Sequence, residues 1–497
     1  MLANYTLSLS IWVPILAGFL VLAAGNDSRA SMTRWLALLG GIAGFLVTLP
    51  LYFQFNIAEG GFQFQEAAYW IPAFQIYYHL GVDGISVPLI LLTSFTTVIC
   101  IIASWEVIKK SIAQYMACFL IMSGLMIGVF SALDSILYYV FWEAMLIPMF
   151  LVIGKWGGPN RVYATIKFFL YTLLGSLLML VAFIYLFHQT GSFNIAKYHD
   201  VVLPLNVQIF IFIAFFMAFA VKIPMWPLHT WLPDAHVEAP TAGSVVLAAV
   251  MLKLGGYSFL RFAMPIAPDA SHYLSGYMIG LSLIAILYIA LVALVQKDMK
   301  KLIAYSSISH MGFVTLGFFL FSQLGLEGAI VQMISHGFIS AAMFLCVGVL
   351  YDRMHSREIA SYGGVANTMP IFAAFAVFFA MANSGLPGTS GFVGEFMVIL
   401  ASVEYDFWVA FIAATTLIFG ASYTLWMVKR VFYGEAANKK VAALKDLTRR
   451  ECALLGVLAA LTLGIGVYPQ VITEMTQATS ARLLNHMSTS KLPSVGM

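Results

Sequence analysis

Long apolar runs follow one another along the whole chain, separated by short polar or Gly/Pro-rich stretches. They fall at 2–24, 32–54, 84–105, 113–131, 135–153, 162–187, 206–227, 240–262, 273–295, 301–321, 326–350, 368–402, 407–429 and 451–469. A helix of about 20 mostly apolar residues crosses a bilayer, whereas a membrane barrel reads as short alternating segments. The pattern predicts an all-α, polytopic membrane protein of about fourteen transmembrane helices. Two runs depart from it. The run at 206–227 carries Lys222, Pro224 and Pro227 near its end. The run at 368–402 is too long for one straight span and is interrupted by Asn383, Ser384, Gly385, Leu386, Pro387 and Gly388. Two broken spans, five apart in order, suggest two five-helix repeats, spans 4–8 and 9–13. An odd number of helices per repeat makes the copies inverted. The predicted segments are 1–112 (three N-terminal helices), 113–262 (first repeat), 263–430 (second repeat) and 431–497 (polar loop, last span and tail).

Composition removes the alternatives. The chain is 61% hydrophobic and 9% charged, against about 25% charged in a soluble domain. A net charge of +3 is too small to suggest a nucleic-acid partner. Cys100, Cys118, Cys346 and Cys452 are far apart, with no CxxC or Cys/His ligand spacing. A disulfide framework, an iron–sulfur cluster and a zinc site are therefore not expected. The first run begins near Met1 without a basic leader, so it reads as a retained span, although Ala23-Ala24-Gly25 resembles a cleavage site.

Charge then gives orientation. Arg29, Arg34, Lys109, Lys110, Lys155, Arg161, Lys297, Lys300, Lys301, Arg353 and Arg357 fall in alternate loops, with Lys429, Arg430, Lys439, Lys440, Lys445, Arg449 and Arg450 before the last span. The opposite loops hold Lys197, Arg261, Arg482 and Lys491 and are otherwise acidic: Glu59, Glu66, Asp83, Asp134, Asp200, Asp269, Glu327, Glu404 and Asp406. Lys and Arg are retained on the cytoplasmic side. The bias predicts an even number of spans with both termini outside.

Five charges remain within spans: Glu143, Lys167, Lys222, Lys253 and Glu395. Each costs about 2.5–3.5 kcal/mol at the centre of an isolated membrane helix, so they must face one another, water or polar backbone. Inert paired charges would satisfy that need, and Lys167, close to Arg161, fits a snorkelling or paired role. The others sit in more telling surroundings. Glu143 lies among Tyr138, Tyr139, Phe141 and Trp142, an apolar setting that disfavours a bare carboxylate unless a cation is near. Lys222 precedes two helix-breaking prolines, and Glu395 follows a Gly-rich break; broken helices at the midplane recur in ion transporters. A Glu–Lys pair here forms a charge switch: the lysine holds its proton when paired and releases it when parted. His310 and His336, in consecutive spans among serines, would serve as helix–helix hydrogen-bond partners or as proton shuttles. The latter places them between Lys253 and Glu395. His229, Asp234, His236 and Glu238 mimic a metal site, but their Pro-rich context favours a structured cap.

The segment from Lys222 to Thr241, with Pro224, Trp226, Pro227, His229, Trp231, Pro233, Asp234, His236, Glu238 and Pro240, is highly specific. It closely resembles the signature of the antiporter-like membrane subunits of respiratory complex I and their Mrp-antiporter and membrane-hydrogenase relatives. The resemblance extends over essentially the whole chain, through Asp298–Gly312 and the Gly385–Glu395 break. Leu80–Ser86, Tyr139–Glu143, the length and the glutamate at 395 point to one branch of that family. Chain L would have a long amphipathic C-terminal extension, and chain N a lysine in place of Glu395. The resemblance implies proton translocation driven by distant electron transfer. Glu143 and Lys222 would be the interacting pair, Lys253 the central lysine, His310 and His336 the polar axis, and Glu395 the terminal carboxylate. It implies no cofactor or metal in this chain, with NADH, FMN, iron–sulfur clusters and quinone in partner subunits. Implied partners are the other membrane-arm subunits, chains L and N among them, with lipids and protons. The implied location is a bacterial inner membrane, termini on the periplasmic side. A sodium/proton exchanger of the Mrp type shares these features without an NADH partner, and a purely structural spacer would carry the same charges inertly.

Overall fold

The computed structural model describes residues 5–493; residues 2–4 of the expected first span and both chain ends lie outside it. Among the described residues thirteen helices are long and apolar enough to cross a membrane: Thr6–Ala24, Ala30–Phe53, Ser86–Ala103, Ile112–Ser131, Ser135–Trp156, Arg161–Thr190, Leu205–Lys222, Thr241–Ile266, Ser275–Leu294, Met299–Phe319, Gln323–Met354, Phe407–Phe432 and Arg449–Val467. The expected twelfth span is present as two shorter pieces, Pro370–Asn383 and Ser390–Tyr405. Every apolar run is thus a helix. Polar residues at the run boundaries cap them: Asp134, Asp298 and Asp406 each accept two backbone N–H groups of the following first turn. Thr448 and Glu451 form a reciprocal capping box on the last span. Each satisfies donors that a helix N-terminus leaves unpaired.

The eighth, tenth and eleventh spans are buried almost throughout, whereas the first, second, sixth and last expose much of their surface. Charge is scarce inside, so the interior is held by packing: Ala, Gly and Ser allow close helix approach. The seventh span ends at Lys222 because Pro224 has no N–H to return to Ala220. Met225 N–H takes that carbonyl instead, at 2.7 Å, and the Trp231 indole N–H donates to the freed Val221 carbonyl at 2.9 Å. The chain then re-forms a short helix, Trp231–Glu238. The twelfth span breaks in the same manner. Leu386 N–H closes on Met381 O at 3.1 Å, Pro387 can donate nothing, and Gly385 and Gly388 adopt φ of 80° and 88°, which glycine alone adopts without strain. The fifth span bends just after Glu143, where Pro148 leaves the Ala144 carbonyl without its helical donor.

Three features were not legible as apolar runs. An antiparallel hairpin, Gln63–Ile71 with Ile76–Val82, covers the acidic face; its Glu66 accepts from Leu7 N–H at 2.7 Å and so caps the first span. A polar helix, Gln470–Met487, follows the last span. The third corrects an expectation: Arg261 is not a loop residue. It lies within the eighth span, buried, its Nη2 2.6 Å from Asp83 Oδ2, with its Nε donating to the Tyr257 hydroxyl at 3.1 Å. A buried cation with a hydrogen-bonded carboxylate resolves the membrane cost. Removing one partner of such a pair typically costs about 3–5 kcal/mol. Arg261→Met is therefore expected to unseat the outer end of the eighth span, seen as a lower melting temperature of the detergent-solubilised assembly; an unchanged melting temperature would show the pair to be dispensable. His199 secures the same end, its Nε2 2.9 Å from Arg261 O. Burial lowers its pKa to about 3, which keeps the ring neutral and able to donate there.

Candidate functional site: a buried polar axis

The eighth span is irregular where it matters. Leu247–Met251 and Phe259–Ala263 are π-helical, flanking a short α-helical piece that carries Lys253. Such widened turns leave carbonyls off the ordinary ladder. Lys253 Nζ uses one, donating to Ala248 O at 2.5 Å, and lies 2.8 Å from His336 Nδ1 on the eleventh span. With Nδ1 accepting from the ammonium, the His336 hydrogen sits on Nε2, which has no protein partner. The His310 ring, from the tenth span, lies 5.8 Å from that of His336, centre to centre. His310 Nδ1 is 2.5 Å from Glu395 Oε1, and Gln332 Nε2 donates to the same oxygen at 3.0 Å. A cavity of about 10 Å³ lies among His310, Gln332, His336 and Glu395, close to the room one water needs. Lys253, His336, His310 and Glu395 therefore form one buried series drawn from four spans.

The break in the twelfth span puts Glu395 there. After Gly388 the chain turns back into a helix whose Gly391 and Gly394 lie hard against neighbouring backbone. A Cβ on Gly394 would come within 2.6 Å of Gln332 N and 2.7 Å of its Cα, so only glycine lets Glu395 reach Gln332 and His310.

Glu143 and Lys222 stand apart from this series. Lys222 Nζ is buried with no hydrogen-bond partner among the described residues, 5.4 Å from the ring centres of both Trp142 and Phe168, where ring quadrupoles attract the cation. Glu143 is half-buried with Ser176 beside it, and its Oε1 has no partner. Their charges interact, yet no ion pair joins them among the described residues. Lys167 is engaged elsewhere, 2.7 Å from Asp234, as a structural pair would be. The cap residues are likewise committed or isolated. Glu238 accepts from Asn160 N–H at 2.8 Å, and His236 stacks on Phe344, buried. Sequence reasoning missed Gln332, whose neutral amide carries no signal in an apolar run. It also missed Tyr423, whose hydroxyl lies 3.5 Å from His310 Nε2. Lys300, assigned to a loop, is buried and donates to Ala239 O at 2.8 Å, holding the cap to the tenth span.

Residues 132–420 match the family described as NADH:quinone oxidoreductase/Mrp antiporter, TM, and residues 32–131 match the amino terminus of NADH-ubiquinone oxidoreductase chain 4. NADH-quinone oxidoreductase subunit M of Rhodobacter capsulatus is 49% identical over 496 residues, covering 97% of this chain and 96% of that protein. The chain belongs to the subunit M family of NADH:quinone oxidoreductase. A chain in the structure of respiratory complex I from Thermus thermophilus superposes with a TM-score of 0.88 at 31% identity, over 97% of this chain and 99% of that one. The Mrp complex from Dietzia shares the fold alone, with a TM-score of 0.80 at 20% identity over 98% of this chain and 55% of that one.

In this subunit M relative, the glycine contacts predict a graded result. Gly394→Ala is expected to destabilise by about 1–3 kcal/mol, the usual cost of overpacking, and to draw Glu395 away from His310. Gly464, with open space around its Cβ position, should tolerate alanine with no loss. Thermal melts of the two variants check this, and equal stability would remove the packing argument.

Proposed function

We propose that this chain is a proton-translocating membrane subunit of NADH:quinone oxidoreductase, acting as part of a translocase and performing no redox step itself. NADH, FMN, iron–sulfur clusters and quinone are then the business of partner subunits, with chains L and N as flanking antiporter-like neighbours in the lipid bilayer. The basic face lies in the cytoplasm of a bacterium, and both termini lie on the periplasmic side of its inner membrane. The observation that carries the reading is the series Lys253–His336–His310–Glu395, buried and closely spaced through the middle of the molecule.

Each member can hand on a proton. The Lys253 ammonium already points a proton at His336 Nδ1. Accepting it there makes His336 an imidazolium, which can release the other proton from Nε2 towards His310. His310 in turn donates from Nδ1 to the Glu395 carboxylate, 2.5 Å away. Glu143 and Lys222 supply the drive. A change in a partner that parts or joins them alters how firmly Lys222 holds its proton, and that charge is felt at Lys253. Glu395 then releases towards the acidic face.

Glu395→Gln keeps the shape and the hydrogen bond to Gln332 but cannot take up the proton. In the assembled complex, in sealed vesicles, protons moved per NADH oxidised are expected to fall. A full proton yield from that variant would sink the proposal. Sodium/proton exchange shares the fold and the charges, but no feature of the site favours it.

A further inference from the structure

The ninth and thirteenth spans pack side by side, but the ninth stops at Leu294 while the thirteenth runs on to Phe432. The mismatch leaves a shallow groove, wide open to its surroundings, at the basic face, lined by Leu294, Ser422, Leu425, Trp426 and Lys429. Its floor is apolar. The Ser422 hydroxyl already donates to the Ile418 carbonyl at 2.6 Å, so apart from Lys429 the wall offers no free donor to an incoming polypeptide. At the mouth, Lys429 Nζ and Arg430 Cζ lie 5.6 Å and 5.8 Å from the centre of the Trp426 ring. Trp426 itself is 48% exposed, as expected of an indole at the level of lipid headgroups.

Other cations at this face also lack a carboxylate, but Lys429 and Arg430 are the two that flank Trp426 beside this apolar surface. Arg353, Arg357, Arg450 and Lys167 are matched by Glu451, Asp298, Glu106 and Asp234 respectively. Neither Lys429 nor Arg430 has a carboxylate or a hydrogen-bond acceptor among the described residues. Two unpaired cations beside an interfacial tryptophan, above an apolar groove, are complementary to one amphiphile: a negatively charged headgroup with hydrocarbon tails. Basic residues just outside a membrane helix attract anionic lipid, and here the groove supplies a seat for a chain as well.

We propose that the groove between spans nine and thirteen binds an anionic glycerophospholipid of the leaflet at the basic face. Its phosphate sits between Lys429 and Arg430, and one acyl chain lies along Leu294, Leu425 and Trp426. The site is separate from the proton axis and needs no change in it.

The test uses the assembled complex carrying Leu425→Cys modified with a photoactivatable label, in vesicles of phosphatidylcholine alone or of phosphatidylcholine with phosphatidylglycerol. Phosphatidylglycerol should be captured several-fold in preference to phosphatidylcholine. The preference should vanish when Lys429→Gln and Arg430→Gln are combined, with NADH oxidation unchanged. Equal capture of the two lipids, no lipid capture, undiminished preference in the double variant, or capture of a neighbouring polypeptide would each overturn the assignment.

Discussion

Lys253→Met is expected to leave the subunit folded and assembled while abolishing proton transfer through it. Methionine reaches as far as the lysine Cε, with a thioether sulfur in place of Cδ, and lacks the ammonium. A volume-conserving replacement in a packed interior usually costs less than about 1.5 kcal/mol. Truncation to alanine would instead open a cavity and cost about 2–5 kcal/mol, so a failure of that variant would say nothing about chemistry. Methionine also relieves the membrane of a buried cation whose only partners among the described residues are Ala248 O and His336 Nδ1, so stability should hold or rise. What disappears is the proton that His336 receives. The expected measurement is a normal assembly on native gels, with a proton yield per NADH lower than that of the unmodified complex. If Lys253 were merely a satisfied structural charge, the yield would be unchanged, and the buried series would be reduced to packing.

Much of this arrangement is legible in the sequence, for a physical reason. A bilayer demands long apolar helices, so the spans announce themselves, and in such a background each surviving charge is conspicuous. Lys253 and Glu395, with His310 and His336 suggested between them, are the residues that the fold brings together. The parts that were not legible are those without a hydropathic or charge signature. Gln332 is neutral and sits in an ordinary apolar run, yet it shares the Glu395 oxygen with His310. The π-helical turns around Lys253 leave no trace in composition. Arg261 was placed outside because the apolar run fades near it; its partner Asp83 is distant in sequence, and only the folded hairpin brings the two together. The hairpin is too short and too mixed in character to compete with the helical signal around it.

The second large effect concerns Glu143 and Lys222. Glu143→Gln and Lys222→Met are each expected to lose most of the proton yield, and the double variant is expected to be no worse than either one. No ion pair joins the two among the described residues. Lys222 lies against Trp142 and Phe168 with no acceptor, and Glu143 is close enough to influence it but is not bonded to it. A pair locked by a short ion bond would be hard to part, whereas a cation held by aromatic rings can be drawn towards a carboxylate or released from it at modest cost. Such a pair works as a switch only if both charges are present, so deleting the second after the first removes nothing further. Residues that interact this way show coupling of about 0.5–3 kcal/mol in a double-mutant cycle, while independent sites add to within about 0.5 kcal/mol. Proton yield in the three variants, at matched assembly, decides between these. Additive losses would mean that Glu143 and Lys222 act separately, and the drive for the Lys253 series would then have to come from a charge outside this chain.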